Sequence, residues 1–184
     1  MLGFITRPRS LRILAFVAGL SLLGACSSPD ISQYEGTLPL LDVKDYFDGH
    51  LSAHGIVKNR AGKVIRTFNA DITASWSEEG IGRLHETFLF SDGEEQIRVW
   101  QLVPLGDGKY RASANDVVGE SVLVSAGNAL FLNYILEVPY KDGTMPLRVD
   151  DRMYLVNDQM LINESILKKF GIRVASVTLV IVKH

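Results

Sequence analysis

The chain has 184 residues, 47% hydrophobic and 22% charged, with a formal net charge of −2, an ordinary globular composition for one domain with a sizeable core. Arg7, Arg9 and Arg12 are the charged residues among the first 25, and without them 16 basic side chains face 21 acidic ones, a balance of −5. That balance excludes the basic face that a nucleic-acid binder needs, and a single cysteine, Cys26, excludes an intrachain disulfide.

Residues 1–25 read as an export leader: a basic start, an apolar run from Ile13 to Leu23, then Leu23-Gly24-Ala25-Cys26. The apolar run is well short of the ~20 residues a membrane-spanning helix takes, and it fits the core of a signal peptide. Leu-Gly-Ala-Cys resembles the bacterial lipobox, in which small residues let the peptidase grip an extended backbone and the thiol receives a diacylglycerol. Cleavage between Ala25 and Cys26 then frees an amine for acylation. Each buried CH₂ contributes about 0.8 kcal/mol, so two or three chains anchor the protein to the membrane permanently. The other reading is a plain secretory leader with a chance cysteine. Ser27, where an Asp retains enteric lipoproteins in the inner membrane, points by that sorting rule to the outer membrane, with the domain on its periplasmic face.

Residues 26–41 (CSSPDISQYEGTLPLL) are polar and broken by Pro29, Gly36 and Pro39, which predicts a lipidated cysteine on a flexible tether. The domain is expected over 42–184, with a helical turn at Asp42–Phe47. Turn signals then recur at Asn59–Gly62, Glu78–Gly80, Asp92-Gly93, Gly106–Gly108, Gly127-Asn128, Asp142-Gly143 and Asn157-Asp158. A further break stands at Lys169–Gly171. The runs between them are rich in Val, Ile, Phe, Tyr and Thr, the pattern of consecutive hairpins. These signals separate nine strand candidates. Strict alternation marks Val64–Trp76, Leu130–Tyr140 and Met145–Val156, each with one apolar and one polar face. The fold class is all-β: an antiparallel up-and-down meander closing into a lipocalin-like barrel of about 8–10 strands, since closure hides the edges. A β-sandwich is the alternative. A membrane-spanning barrel is disfavoured, because its interior would be polar.

Charges placed on apolar faces are the informative polar residues. With Asp92-Gly93-Glu94 as a three-residue loop, Phe88 faces Arg98, Glu86 faces Trp100 and Leu84 faces Leu102. Glu86 and Arg98 are then diagonal neighbours. Arg66 and Asp151 repeat the pattern on their own strands, whereas Asp116 is opposite in phase to Val117. Arg66, Glu86, Arg98 and Asp151 are expected to meet inside as a neutralised network, because an unpaired buried charge costs several kcal/mol. Two readings stand: the ions only satisfy one another, or an arginine grips the carboxylate or phosphate of an amphiphilic ligand. Phe68, Phe88, Trp100, Leu132 and Tyr134 are the expected cavity lining.

Other motifs carry less. His50 and His54 share a strand face, with His85 as a third donor elsewhere, but three or four well-spaced ligands are what zinc requires; they read as surface histidines and no metal or cofactor is predicted. No Gly-x-Ser-x-Gly elbow or phosphate-cradling loop is present. Asp150 and Asp151 are adjacent on a strand and so point to opposite faces. Trp76 and Trp100 read as core or barrel-end residues.

The series Phe47-x-Gly49, Gly55, Arg60-x-Gly62, Leu84-x-Glu86-x-Phe88, Asp92-Gly93, Arg98-x-Trp100, Asp116-Val117-Val118-Gly119, Gly127-Asn128, Asp150-Asp151-x-Met153-Tyr154 and Lys169-Phe170-Gly171 resembles a family of Gram-negative lipoproteins known as domain of unknown function 3833. The resemblance spans nearly all of the chain after the leader. It implies a small periplasm-facing lipoprotein domain and supplies no catalytic residues. The meander also resembles the lipocalin superfamily in architecture, although Gly49-His50-Leu51 stands where a lipocalin has Gly-x-Trp. The function these features predict is non-enzymatic: a membrane-anchored barrel holding a lipid or other amphiphilic small molecule. The alternative is an envelope structural or assembly accessory with a protein partner.

Overall fold

Alternating apolar and polar side chains favour strands with one buried face, and the computed structural model, which describes residues 29–184, contains ten of them. They are β1 (Gly49–Asn59), β2 (Val64–Trp76), β3 (Gly82–Phe90), β4 (Glu95–Gly106), β5 (Lys109–Ala114), β6 (Ser121–Ala126), β7 (Ala129–Tyr140), β8 (Gly143–Asn157), β9 (Met160–Lys169) and β10 (Ile172–Lys183). Each pairs antiparallel with its chain neighbour, and β1 closes on β10, giving a closed barrel with no free edge. The sandwich alternative therefore falls away. The tenth strand comes from a turn at residues 115–120 that divides the expected run 109–126 into β5 and β6.

The faces follow the alternation. In β2, Phe68, Ala70, Ile72 and Ala74 are buried, and Thr67, Asn69, Asp71 and Thr73 are exposed. Leu130, Leu132 and Tyr134 point inward from β7, and Leu147, Val149, Asp151 and Leu155 from β8. Leu51, Ile72, Leu130, Leu161 and Val149 are the largest fully buried side chains, each worth about 1.5–3 kcal/mol of transfer free energy.

The helical turn forms α1 (Val43–Tyr46), N-capped by Asp42, whose Oδ1 accepts from the Asp45 amide at 2.9 Å. Val43, Tyr46 and Phe47 are buried. The Tyr46 hydroxyl donates to the Ile181 carbonyl at 2.9 Å and Trp76 Nε1 donates to the Phe47 carbonyl at 2.6 Å. These bonds seat α1 as a cap at the end where β1 begins.

The stretch expected as a flexible tether needs correction from Ile31 onward. Ile31–Tyr34 is a 3-10 turn, and the Tyr34 ring packs 5.6 Å from Phe131 and 5.5 Å from Tyr154. The Thr37 hydroxyl lies 2.7 Å from Asn128 Oδ1 and the Leu41 amide donates to the Gly127 carbonyl at 2.8 Å. Residues 31–41 thus form a strap on the barrel wall. The leader and Cys26 lie outside the described residues.

Candidate functional site

The β3–β4 hairpin sets the centre of the site. Its loop is Ser91–Gly93: the Phe90 amide donates to the Glu94 carbonyl at 2.9 Å, and Gly93 takes the left-handed third position at φ 86°. The expected loop lay one residue later. Every cross-strand partner therefore moves by two: Glu86 faces Arg98, Leu84 faces Trp100 and Phe88 faces Gln96. An even shift preserves which face a side chain occupies, so the inward set stands, and Glu86 and Arg98 become direct neighbours.

Inside, the barrel holds a cavity of about 310 Å³, at the lower end of the volumes that small-molecule sites occupy. Its lining runs from Phe47 at the capped end to Arg66, Glu94 and Pro139 at the mouth. Phe68, Phe88, Trp100, Leu132 and Tyr134 all line it, joined by Leu130, Val149 and Leu179. The aromatics interlock: Phe68 lies 5.7 Å from Phe88, and Trp100 meets Tyr134 edge-on at 5.4 Å.

Three of the four expected ions share this chamber. Glu86 Oε2 lies 4.0 Å from Arg98 Nη1, and Asp151 is buried on the β8 wall. Arg66 does not join them. It sits at the mouth, where its Nη2 donates to Asp92 Oδ1 at 2.7 Å and Glu94 Oε2 at 2.8 Å, with the guanidinium 3.8 Å above the Phe90 ring. The reason is depth. Glu86 pairs with Ile72 on β2, six residues from Arg66, and at about 3.3 Å per residue the two are some 20 Å apart along the strand.

The principal partner of Arg98 is instead Asp116, from the unforeseen turn at 115–120. Arg98 Nε donates to both Asp116 oxygens at 3.0 and 2.9 Å, and Nη2 donates to Oδ2 at 2.8 Å, the strong charge-assisted geometry of a guanidinium on a carboxylate. The Asn115 side chain pins the same turn by accepting from the Val99 amide at 2.7 Å. A run of Asn115, Asp116 and Gly119 was the available signal, since these residues favour turns.

Asn163 and Ser165 were also missed. Both donate to Asp151 Oδ1, Ser165 at 2.7 Å. They fall on the buried face of β9 between Leu161 and Leu167, so period-two reading of that strand would have placed them. Asp150 faces out, 3.1 Å from Arg152 Nε, on the side opposite Asp151.

The chamber's electrostatics follow from burial. Burial pushes the Glu86 carboxyl up to about 7; Arg98 opposes that rise, while Asp116 and Asp151 add to it. Asp151 is likewise raised by burial, despite the bonds from Asn163 and Ser165. For Arg98, burial alone would lower the pKa, but the carboxyls of Asp116 and Glu86 overcome it and hold the guanidinium charged. Tyr134 is raised by burial and stays neutral. The Glu86 side chain is 13% exposed, but that surface looks into the cavity that Glu86 lines.

The histidines lie on the outer wall: His50 Nε2 is 2.6 Å from Asp71 Oδ1, and His54 Nδ1 is 2.7 Å from Asn69 Oδ1. Among the described residues no group of three His, Cys, Asp or Glu is placed to hold a metal ion. Trp76 and Trp100 sit at the barrel end and in the lining respectively.

Solved structures share the architecture. The S-type phycobiliprotein lyase CPES from Guillardia theta matches with TM-score 0.59 and 13% identity over 85% of this chain and 98% of that one. Rv2717c from M. tuberculosis matches with TM-score 0.58 and 10% identity, over 80% and 99%. A protein of unknown function from the DUF3598 family of Nostoc punctiforme matches with TM-score 0.56 and 13% identity, over 79% of this chain and half of that one. At such identities the likeness concerns the fold. No curated protein matches the sequence. The family model described as "Protein of unknown function (DUF3833)" matches residues 20–183, and the chain belongs to that family.

Proposed function

We propose that this protein is a lipid-anchored carrier, tethered through Cys26 to the periplasmic face of the outer membrane, that holds a small apolar or amphiphilic molecule in its barrel. One observation carries the reading: a cavity of about 310 Å³ inside a closed barrel, walled by aromatic and aliphatic side chains and furnished with a few polar groups. That combination is the usual constitution of a small-molecule site. Carriage is favoured over catalysis because the walls are mostly aliphatic and aromatic and no histidine, cysteine or lysine lines the cavity among the described residues. Arg98 as a grip for an anionic head is disfavoured, since Asp116 already holds it bidentately through Nε and Nη2.

The test has two arms. The neutral fluorophore N-phenyl-1-naphthylamine should bind saturably, one per barrel, and Leu132→Trp, which fills the cavity, should abolish the signal. Native mass spectrometry of protein from cells should show a bound molecule lost on solvent extraction. Absence of both signals would refute carriage. For the anchor, Cys26→Ala should abolish incorporation of labelled palmitate and leave uncleaved precursor; persistent labelling refutes the lipid assignment.

The second reading, an envelope accessory with a protein partner, draws on the exposed apolar tips at the mouth, where Phe170 is 92% and Tyr140 52% exposed. A photo-crosslinker at residue 170 in intact envelopes should then capture one defined protein.

A further inference from the structure

The cavity's polar groups are unevenly matched. In the inner part of the cavity one guanidinium, Arg98, faces three carboxyls, Glu86, Asp116 and Asp151, and Asp116 holds it bidentately; the other guanidinium of the lining, Arg66, is taken up at the mouth by Asp92 and Glu94. The remaining two carboxyls have no second cation in that inner part among the described residues. Asp151 is 5% exposed, and both of its hydrogen bonds go to Oδ1, leaving Oδ2 open. Glu86 accepts no hydrogen bond from the described residues; its nearest cation is Arg98 at 4.0 Å, beyond hydrogen-bond reach. The Tyr134 hydroxyl, on a residue 7% exposed, also has no hydrogen-bond partner among them. Three polar groups thus look into an apolar cavity with unused bonding capacity, and buried groups in that condition ordinarily meet water or a ligand.

Resting on the carrier reading, we infer that the chamber takes the head of a hydrophobic amine, its ammonium seated between Glu86 and Asp151 under the Tyr134 hydroxyl. An ammonium carries donors only, which suits two carboxylates and the oxygen of a phenol. Its charge offsets the surplus that no protein cation meets. Phe88, Trp100 and Tyr134 add aromatic faces that attract cations in a desolvated site. A carboxylate or phosphate head would add a negative charge to the same surplus. A neutral alcohol would leave one carboxyl to be kept protonated.

The groups that face Glu86 are Arg98 from β4, Asp116 from the 115–120 turn, Tyr134 from β7 and Asp151 from β8; its β2 neighbour is the apolar Ile72. Protonating Glu86 removes its counter-charge from the ammonium, so amine binding should weaken as pH falls.

The experiment uses three probes with one apolar body, decylamine, decanol and decanoate, each competing against N-phenyl-1-naphthylamine. At about pH 8 decylamine should bind at least about tenfold more tightly than decanol, and decanoate more weakly than either. The amine-to-alcohol ratio should fall severalfold by about pH 5.5. Glu86→Gln, verified as folded by circular dichroism, should lower the ratio severalfold at about pH 8 and remove most of its change with pH. Equal displacement by amine and alcohol, a preference for decanoate, or a ratio insensitive to pH in the wild type overturns the inference and leaves the carrier reading in place. Failure of the fluorophore to bind at all overturns the carrier reading itself.

Discussion

Glu86 makes stability depend on pH in an unusual direction. Most carboxylates are stabilised as anions by folding, but this one is held near 7 against an ordinary 4.5, chiefly by burial. A pKa raised in the folded state means that folding favours the protonated form. The associated stability is present in full below about pH 4.5 and is lost as pH rises through about 7. A difference of about 2.5 units at 1.36 kcal/mol each makes the loss about 3 kcal/mol across that window. Asp151, also raised by burial, acts with the same sign. Glu79 and Asp92, held low by hydrogen bonds from Ser77 and Arg66 respectively, act the other way, but at pH values below their ordinary range. Urea unfolding followed by Trp fluorescence at about pH 5, 6, 7 and 8 should give a falling free energy. Glu86→Gln should lose most of that slope, and the difference between the two proteins isolates this carboxyl from every other titrating group. Wild-type stability that is flat or rising over the window, or a Gln variant with an undiminished slope, would show that the carboxyl is not desolvated as described.

Four further substitutions probe other parts of the structure. Asp116→Asn removes the bidentate partner of a buried guanidinium and should cost about 3–5 kcal/mol by urea unfolding. It should also turn Arg98 toward Glu86, so the pH slope shrinks; an unchanged slope counts against the coupling. Leu130→Ala, at a position 0% exposed, should cost about 2–5 kcal/mol, and a loss under 1 kcal/mol would mean the core there collapses around the gap. Gly127→Ala drives a methyl into the Tyr34 carbonyl oxygen at a backbone φ of 54°, so limited proteolysis should cut residues 31–41 faster than in the wild type. Phe170 is 92% exposed at φ 51°, a conformation that costs a bulky side chain about 1–2 kcal/mol. Phe170→Asn should therefore raise Tm, and a lower Tm would mean that the ring makes a stabilising contact.

The faces of this barrel were legible and the levels were not. Alternation along Val64–Trp76 put Arg66 on the inward side, and it is inward; nothing in a period of two says how far along the axis it lies, so Arg66 entered a network that it misses by the length of six residues. The hairpin shift in β3–β4 has the same character. Phase survived because the error was even, while partner identity did not, and identity decides whether Glu86 touches Arg98 diagonally or directly. Residues 31–41 show a different blindness. Pro, Gly and Ser mark irregular backbone, but irregular is not loose, and the Tyr34 ring with Thr37 and Leu41 binds the strap to β7, β8 and the Gly127 turn.

The turn at 115–120 matters most for function. Asp116 went unrecognised as a site residue because a strand read continuously from 109 to 126 gives it only a phase, whereas a turn frees it to bend inward to Arg98. With Asp116 absent, Arg98 looks like a spare cation and the cavity looks built for an anion. With Asp116 present, the cation is occupied, two carboxyls are left over, and the ligand charge that the chamber favours changes sign. A single unassigned hairpin thus separates two opposite chemistries for one cavity. For buried ions in a meander barrel, the connections between strands must be assigned before the sign of the ligand can be argued from the strands themselves.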